Sequence, residues 1–152
     1  MKQDELLTLH GPDTASTDDY QERFYIQETR INLRDGGKIT HKNGVVYTPV
    51  ACVDFINQSV NDLLQRHFGV TMDNPCVEIL DPFAGTGIFL SRAIENGLVD
   101  PSSQKVQQIE LMPDSADIAQ RNVDIACEKS GIPKGTVQTI NADTFTLDPD
   151  FQ

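Results

Sequence analysis

Residues 77–90 read VEILDPFAGTGIFL, and the fold follows from this stretch. Its first four residues are mostly apolar, which is typical of a short buried strand. Asp81 ends that run, and Pro82 stops the strand because it has no backbone N–H to donate. Gly85 and Gly87 supply the backbone freedom of a sharp turn, and a helical pattern follows. The stretch predicts a strand, a glycine turn and a helix, and ligands of open α/β sheets bind beside such turns.

The residues around the turn decide which ligand it suits. A phosphate loop of the Walker type requires Gly-Lys-Ser/Thr, but Ile88 follows Gly87. The dinucleotide fingerprint requires a third glycine, and Leu90 stands there. The Asp81 carboxylate would repel a pyrophosphate and attract a cation. This favours S-adenosylmethionine, which has an ammonium, a sulfonium and no phosphate, and whose carboxylate would accept hydrogen bonds at the helix start. The alternative is a tight strand-to-helix connection that binds no ligand.

The composition indicates one soluble globular domain. The chain has 152 residues, of which 38% are hydrophobic and 23% charged, so a single core is expected. No apolar run is as long as a membrane span and the N-terminus lacks a signal-peptide pattern, so we expect a cytoplasmic protein. The three cysteines have no metal-ligand spacing and are odd in number, which is typical of free thiols in a reducing compartment. No metal site is predicted.

The rest of the pattern predicts a β-α-β-α-β order. The second helix begins at Pro113 and buries one face of small apolar residues: Ala116, Ala119, Val123 and Ala126. It closes near Gly131. The predicted strands cover residues 77–80, 105–111 and 137–142.

An acidic residue follows or ends each predicted strand: Asp81, Glu110 and Asp143. The carboxyl ends of parallel strands share one edge of the sheet, so these side chains should lie together. Glu110 comes roughly twenty residues after the turn, where a ribose-binding acid is expected. Asp143 would accept from an adenine amino group and Phe145 would cover the ring face. A position in the core is an equally good interpretation of Phe145.

The N-terminal part is less regular. Residues 1–17 are polar and predict a flexible tail, and residues 18–43 predict a helical lead-in. Thr48 is a natural N-cap and Pro49 a natural first residue for the next helix, which should end near Gly69. Its apolar residues recur at helical spacing and predict a stripe in the core: Val53, Ile56, Val60, Leu63 and Leu64.

Two motifs together carry a family resemblance. Residues 44–49 (GVVYTP) and 81–87 (DPFAGTG), followed by Glu110 and Asp143, resemble the amino-methyltransferases of restriction–modification systems. The sequence is most similar to N6-adenine DNA methyltransferases with N-terminal cofactor motifs, especially large fused restriction–methylation enzymes. The resemblance spans roughly residues 44–145 and implies an S-adenosylmethionine-dependent methyltransferase domain over residues 44–152.

The implied fold is the N-terminal half of a Rossmann-like α/β methyltransferase, with three parallel strands and flanking helices, preceded by helical segments. The resemblance implies that Tyr47 and Thr48 contact the methionine end of the cofactor and that Asp81 neutralises its ammonium. Glu110 would hold the ribose hydroxyls and Asp143 the adenine amino group. The remaining implied cofactor-binding residues form the turn or lie beside the adenine: Phe83, Ala84, Gly85, Gly87 and Phe145.

The chain departs from the family in two respects. The Asn/Asp-Pro-Pro-Tyr/Phe motif that performs methyl transfer is missing, so no catalytic residue is predicted and the domain is interpreted as partial. A basic DNA surface is missing too, which fits the net charge of −11. DNA binding would depend on a C-terminal remainder or a companion chain. Without a further strand, residues 77–80 would expose an apolar edge, which predicts self-association.

Three alternatives stay open at this point. In the first, the acceptor is cytosine N4 instead of adenine N6, since the motif that would discriminate between them is missing. In the second, the chain is a non-catalytic, cofactor-binding fragment or pseudoenzyme. A nucleotide-dependent oxidoreductase is disfavoured by the missing third glycine and by Asp81.

Overall fold

The computed structural model describes residues 48–147. The flexible tail, the helical lead-in and Tyr47 lie outside these described residues. The described part is an α/β unit in which helices and strands alternate. Its elements are α1 (Val50–Phe68), β1 (Ile79–Asp81), α2 (Ile88–Glu95), β2 (Val106–Glu110), α3 (Pro113–Lys129) and β3 (Gln138–Asn141).

The three strands form one parallel sheet in the order β1-β2-β3. The predicted order and direction are confirmed. β1 starts later than predicted and includes Asp81. The reason lies at Val77, whose backbone N–H donates to the Asn74 carbonyl and whose own carbonyl accepts from the Gln104 side chain. The bond to Asn74 closes a turn and the bond from Gln104 occupies the Val77 carbonyl, so Val77 stays outside the ladder.

The core lies between the sheet and the helices α2 and α3. The predicted face of α3 is confirmed: Ala116, Ala119, Val123 and Ala126 are all buried. Ile94 of α2 and Val137, next to β3, pack with this face. Gly69 caps α1 and Ser130 caps α3, so both helices end where the sequence predicted.

The start of α1 differs from the prediction by one residue. Pro49 is the N-cap and no side chain caps the helix, so the prediction of Thr48 as N-cap is wrong. The Pro49 carbonyl accepts from the amides of Cys52 and Val53, at 2.9 and 3.1 Å. Proline fits this position because the N-cap lies outside the helical region and Pro49 has an extended ψ of 141°.

The predicted apolar stripe of α1 is only partly in the core. Val53 is buried, but Ile56, Val60 and Leu63 are 42%, 42% and 53% exposed. The face of α1 that packs on α2 is partly apolar and partly polar. Val50 and Val53 pack with Ile88, and the buried Asn57 side chain donates to the Phe89 carbonyl at 2.9 Å.

An ion pair joins α1 to α2. The Arg92 guanidinium is nearly buried and donates to both carboxylate oxygens of Asp54, at 2.9 and 2.8 Å. Such a bidentate pair fixes orientation as well as distance. Removing Asp54 would cost more than its exposed position suggests, because the Arg92 side chain is only 9% exposed, whereas Asp54, at 32%, would keep access to solvent.

The two edges of the sheet differ. Along β3, the Gln120 side chain of α3 donates to the Val137 carbonyl at 2.9 Å and accepts from the Thr139 amide at 2.7 Å. Gln120 therefore takes the place of a further strand. Along β1, the Ile79 amide donates toward β2, so the alternation of a parallel ladder turns the backbone groups of Leu80 outward. Within residues 48–147 no strand covers them, and the Leu80 side chain is 56% exposed.

The closure of the β3 edge is testable by hydrogen exchange. Gln120→Ala removes the acceptor of the Thr139 N–H, so we expect that amide to exchange faster by an order of magnitude or so. Gln120→Glu keeps an acceptor and should retain most of the protection. Gln58→Ala, which removes a glutamine from an exposed pair on α1, is the matched control. Unchanged exchange at Thr139 in Gln120→Ala would contradict the closure.

Glu95 predicts a pH dependence of stability. Burial raises the pKa of its carboxyl from 4.5 to about 7, against the opposing charge of Lys129. Because the folded-state pKa exceeds the unfolded one, the bound proton stabilises the fold below about pH 4.5, and this contribution is lost as the pH rises through about 7. We expect the free energy of unfolding to fall across this interval more steeply in the natural chain than in Glu95→Gln. Denaturant titrations at a series of pH values measure this, and an equal decrease in the free energy of unfolding in the two chains would contradict the prediction.

Candidate functional site

The glycine turn lies over the carboxyl end of the sheet. After β1 the chain folds back, and the Ala84 amide donates to the Ile109 carbonyl of β2 at 2.9 Å. The Gly87 amide donates to the Ala84 carbonyl at 2.8 Å and closes the turn. Ala84 itself is buried. The turn is thus attached to two neighbouring strands before α2 begins.

The two glycines of the turn are required for different reasons. Both have positive φ, 57° at Gly85 and 76° at Gly87, which strains any residue with a Cβ. At Gly87 a Cβ would also lie 3.1 Å from the Ala119 Cα, because α3 packs directly against the turn. At Gly85 a Cβ would meet no atom within 4 Å. The backbone of Gly85 is therefore open to a ligand.

Glu110 connects the end of β2 to the glycine turn. One of its carboxylate oxygens accepts from the Gly85 amide and the other from the Met112 amide, both at 2.8 Å. The sequence did not predict these bonds. They hold Glu110 in a fixed position, and the remaining lone pairs of the carboxylate are what it would offer to a ribose.

Asp81 is the least satisfied carboxylate of the site. One oxygen accepts from the Phe83 amide at 3.2 Å, while Oδ2 is buried and has no hydrogen-bond partner among the described residues. Burial raises the pKa of Asp81, the Phe83 amide opposes this, and the charge of Glu110 adds to it. A cation bound close to the carboxylate would offset part of the cost of burying this charge.

Asp143 and Phe145 lie on the loop after β3. An oxygen of Asp143 accepts from the Phe145 amide at 3.0 Å, which sets a local turn. The Phe145 side chain is 84% exposed, so the interpretation of Phe145 as a core residue is wrong. Its ring contacts that of Phe83, with 5.7 Å between centroids and 43° between planes.

Two further residues order this edge, and the sequence analysis missed both. The Asn141 side chain donates to the carbonyls of Glu110 and Leu111, at 2.9 and 3.0 Å. The Thr144 hydroxyl donates to the Pro82 carbonyl at 2.6 Å. Thr144 had one available signal: it stands between Asp143 and Phe145, which were both singled out.

The predicted contact of Thr48 with the cofactor stays a prediction; Thr48 lies two positions before the first residue of α1. It is partly buried and precedes the N-cap of α1. Within the described range no hydrogen bond joins Thr48 to residues 81–87. The other predicted residues of this range lie at the end of β1, on the turn, at the end of β2 or on the loop after β3: Asp81, Phe83, Ala84, Gly85, Gly87, Glu110, Asp143 and Phe145.

Residues 48–147 contain neither a group of metal ligands nor a membrane-spanning helix. No three His, Cys, Asp or Glu side chains are grouped there so that they would hold a metal ion. No helix of this range is long and apolar enough to cross a membrane.

Comparison with known proteins shows structural relatives only. No protein-family model matches the chain, and no curated protein does. Among solved structures, the chain is similar to DrdV in a cryo-EM complex with DNA, with a TM-score of 0.73, 23% identity and 87% of this chain covered. It is also similar to a nuclease-deletion mutant of the Type ISP restriction–modification enzyme LlaGI with a DNA substrate mimic, with a TM-score of 0.54, 27% identity and 87% covered.

A third similar structure is the ATP-dependent Type ISP restriction–modification enzyme LlaBIII bound to DNA, with a TM-score of 0.56, 26% identity and 82% of this chain covered. The chain spans a small part of each relative: 14% of DrdV, 15% of LlaGI and 10% of LlaBIII. The DrdV likeness supports the α/β fold with three parallel strands, which is compatible with a Rossmann-like arrangement.

The different constraints on the two glycines predict different costs of substitution. Gly85→Ala should lower the free energy of unfolding by about 1–2 kcal/mol, because alanine is strained at a positive φ. Gly87→Ala should lower it by more than this, since its Cβ also meets the Ala119 backbone. Denaturant unfolding followed by circular dichroism measures both. Equal losses would show that α3 does not constrain the turn.

Proposed function

We propose that residues 48–147 form the methyl-donor half of the active site of a DNA methyltransferase in a restriction–modification system. The cofactor is S-adenosylmethionine and the acceptor is adenine N6. The observation that carries the proposal is the Asp81 carboxylate, whose buried Oδ2 has no partner among the described residues, at the start of the turn in which a Cβ at Gly85 would meet no other atom. A carboxylate in that position suits the ammonium of S-adenosylmethionine and opposes a phosphate.

The structural relatives support the restriction–modification setting. LlaGI and LlaBIII are restriction–modification enzymes in complexes with DNA, and this chain resembles a short part of each. The choice of adenine N6 comes from the motif resemblance. The net charge of −11 indicates that contacts to DNA phosphates are made by other parts of the enzyme.

The described residues fit the cofactor in three places. Asp81 would bind the ammonium, and the Gly85 backbone would lie against the methionine portion. Glu110, fixed by two backbone amides, would accept from the ribose hydroxyls. Asp143 would accept from the adenine amino group, and the exposed rings of Phe83 and Phe145 would contact the adenine face.

S-adenosylmethionine supplies an electrophilic methyl group. The residues of this chain orient the donor and offset its positive charge, which is catalysis by positioning and electrostatics. The sequence contains no Asn-Pro-Pro-Tyr motif to bind the acceptor base. The chain alone is therefore proposed to bind the cofactor without transferring the methyl group.

Calorimetric titration of the 152-residue chain with S-adenosylmethionine tests the proposal. We expect a dissociation constant near the micromolar range, on the order of −8 kcal/mol. Asp81→Asn should weaken binding at least about tenfold, because the ammonium of the cofactor would then face a neutral amide instead of a carboxylate. Asp117→Asn makes the same charge change on an exposed residue of α3 and should leave the affinity unchanged.

Parallel titrations with a nicotinamide dinucleotide separate the oxidoreductase alternative. No S-adenosylmethionine binding by a folded chain, or tighter binding of the dinucleotide, would reject the proposed function. Equal affinities of Asp81→Asn and Asp117→Asn would reject the role of Asp81.

A further inference from the structure

The loops after β1 and β3 are joined directly, although these strands are not neighbours. β2 lies between them in the sheet. The Thr144 hydroxyl nevertheless donates to the Pro82 carbonyl at 2.6 Å, and this bond is partly buried. It connects residues 62 positions apart in the sequence, at the edge of the sheet where the proposed site lies.

Each partner in this hydrogen bond is followed in the chain by an aromatic residue. Phe83 follows Pro82 and Phe145 follows Thr144. The rings contact each other across the gap, at 5.7 Å between centroids. They are 64% and 84% exposed, so little else packs against them.

The same two loops share a second feature. The Phe83 amide donates to Asp81 and the Phe145 amide donates to Asp143. The backbone of each phenylalanine is therefore bonded to an acid on its own loop, but these local turns do not fix one loop relative to the other. Among the bonds described for these loops, the Thr144 hydroxyl supplies that connection.

We propose that Thr144 is a positioning residue that holds Phe83 and Phe145 together as one aromatic surface for the adenine of the cofactor. The proposal rests on the proposed function for the identity of the ligand. Its structural part concerns this chain alone. Thr144 touches neither ring directly in this role; it acts through the Pro82 carbonyl.

A set of three variants separates the hydroxyl from the side-chain shape. Thr144→Val keeps the branched shape and removes the donor, and Thr144→Ser restores a hydroxyl. Thr146→Val is the matched control, because the Thr146 hydroxyl donates to the Asp143 carbonyl within its own loop. Thermal unfolding of all four chains verifies that each is folded.

The first measurement needs no ligand. Nuclear Overhauser contacts between the Phe83 and Phe145 rings are recorded in the full chain. We expect them in the natural chain, in Thr144→Ser and in Thr146→Val, and we expect their loss in Thr144→Val. Retention of the contacts in a folded Thr144→Val chain would overturn the proposal.

The second measurement is titration with S-adenosylmethionine and with adenosine, which lacks the methionine portion. Thr144→Val should weaken the binding of both ligands by roughly 3- to 10-fold, the usual range for one hydrogen bond. Thr144→Ser should recover most of the affinity. An unchanged affinity of Thr144→Val would overturn the role in adenine binding. If the natural chain binds neither ligand, the proposed function fails, and the ring contacts alone decide whether Thr144 positions the pair.

Discussion

The Glu110 carboxylate is the contact on which the candidate site depends. It accepts from the amide of Gly85 in the turn and from the amide of Met112 before α3. One side chain at the end of β2 thereby holds both the glycine turn and the segment that leads into α3. A charged acceptor with two backbone donors is among the stronger hydrogen-bonding arrangements in proteins. The turn keeps the shape that exposes the Gly85 backbone because Glu110 holds it.

Three carboxylates lie where the strands end, and they differ in how well hydrogen bonds compensate their negative charge. Glu110 is compensated by amides, and Asp143 accepts from the Phe145 amide. Asp81 retains a buried oxygen without a partner in the described part of the chain. Packing alone gives no reason to keep such an oxygen, since an unpaired buried acceptor lowers stability. Binding of a cationic ligand would account for this oxygen, and the proposed function therefore centres on Asp81.

Much of the site could be predicted because it depends on local sequence. The turn follows from Pro82 and two glycines with positive φ, and the shared edge of Asp81, Glu110 and Asp143 follows from a parallel sheet. The face of α1 could not be predicted from hydropathy. Asp54 and Asn57 bond to α2, whereas Ile56, Val60 and Leu63 are exposed.

The sequence by itself determined the order of strands and helices, the glycine turn and the acids at the strand ends. Each of these depends on periodicity or on the conformational limits of glycine and proline, which a single stretch contains. Only the tertiary structure decided which backbone groups those acids bind, that Gln120 closes one edge of the sheet, and that Thr144 contacts Pro82. These contacts join residues that are distant along the chain, and their geometry exists only once the sheet has brought them together.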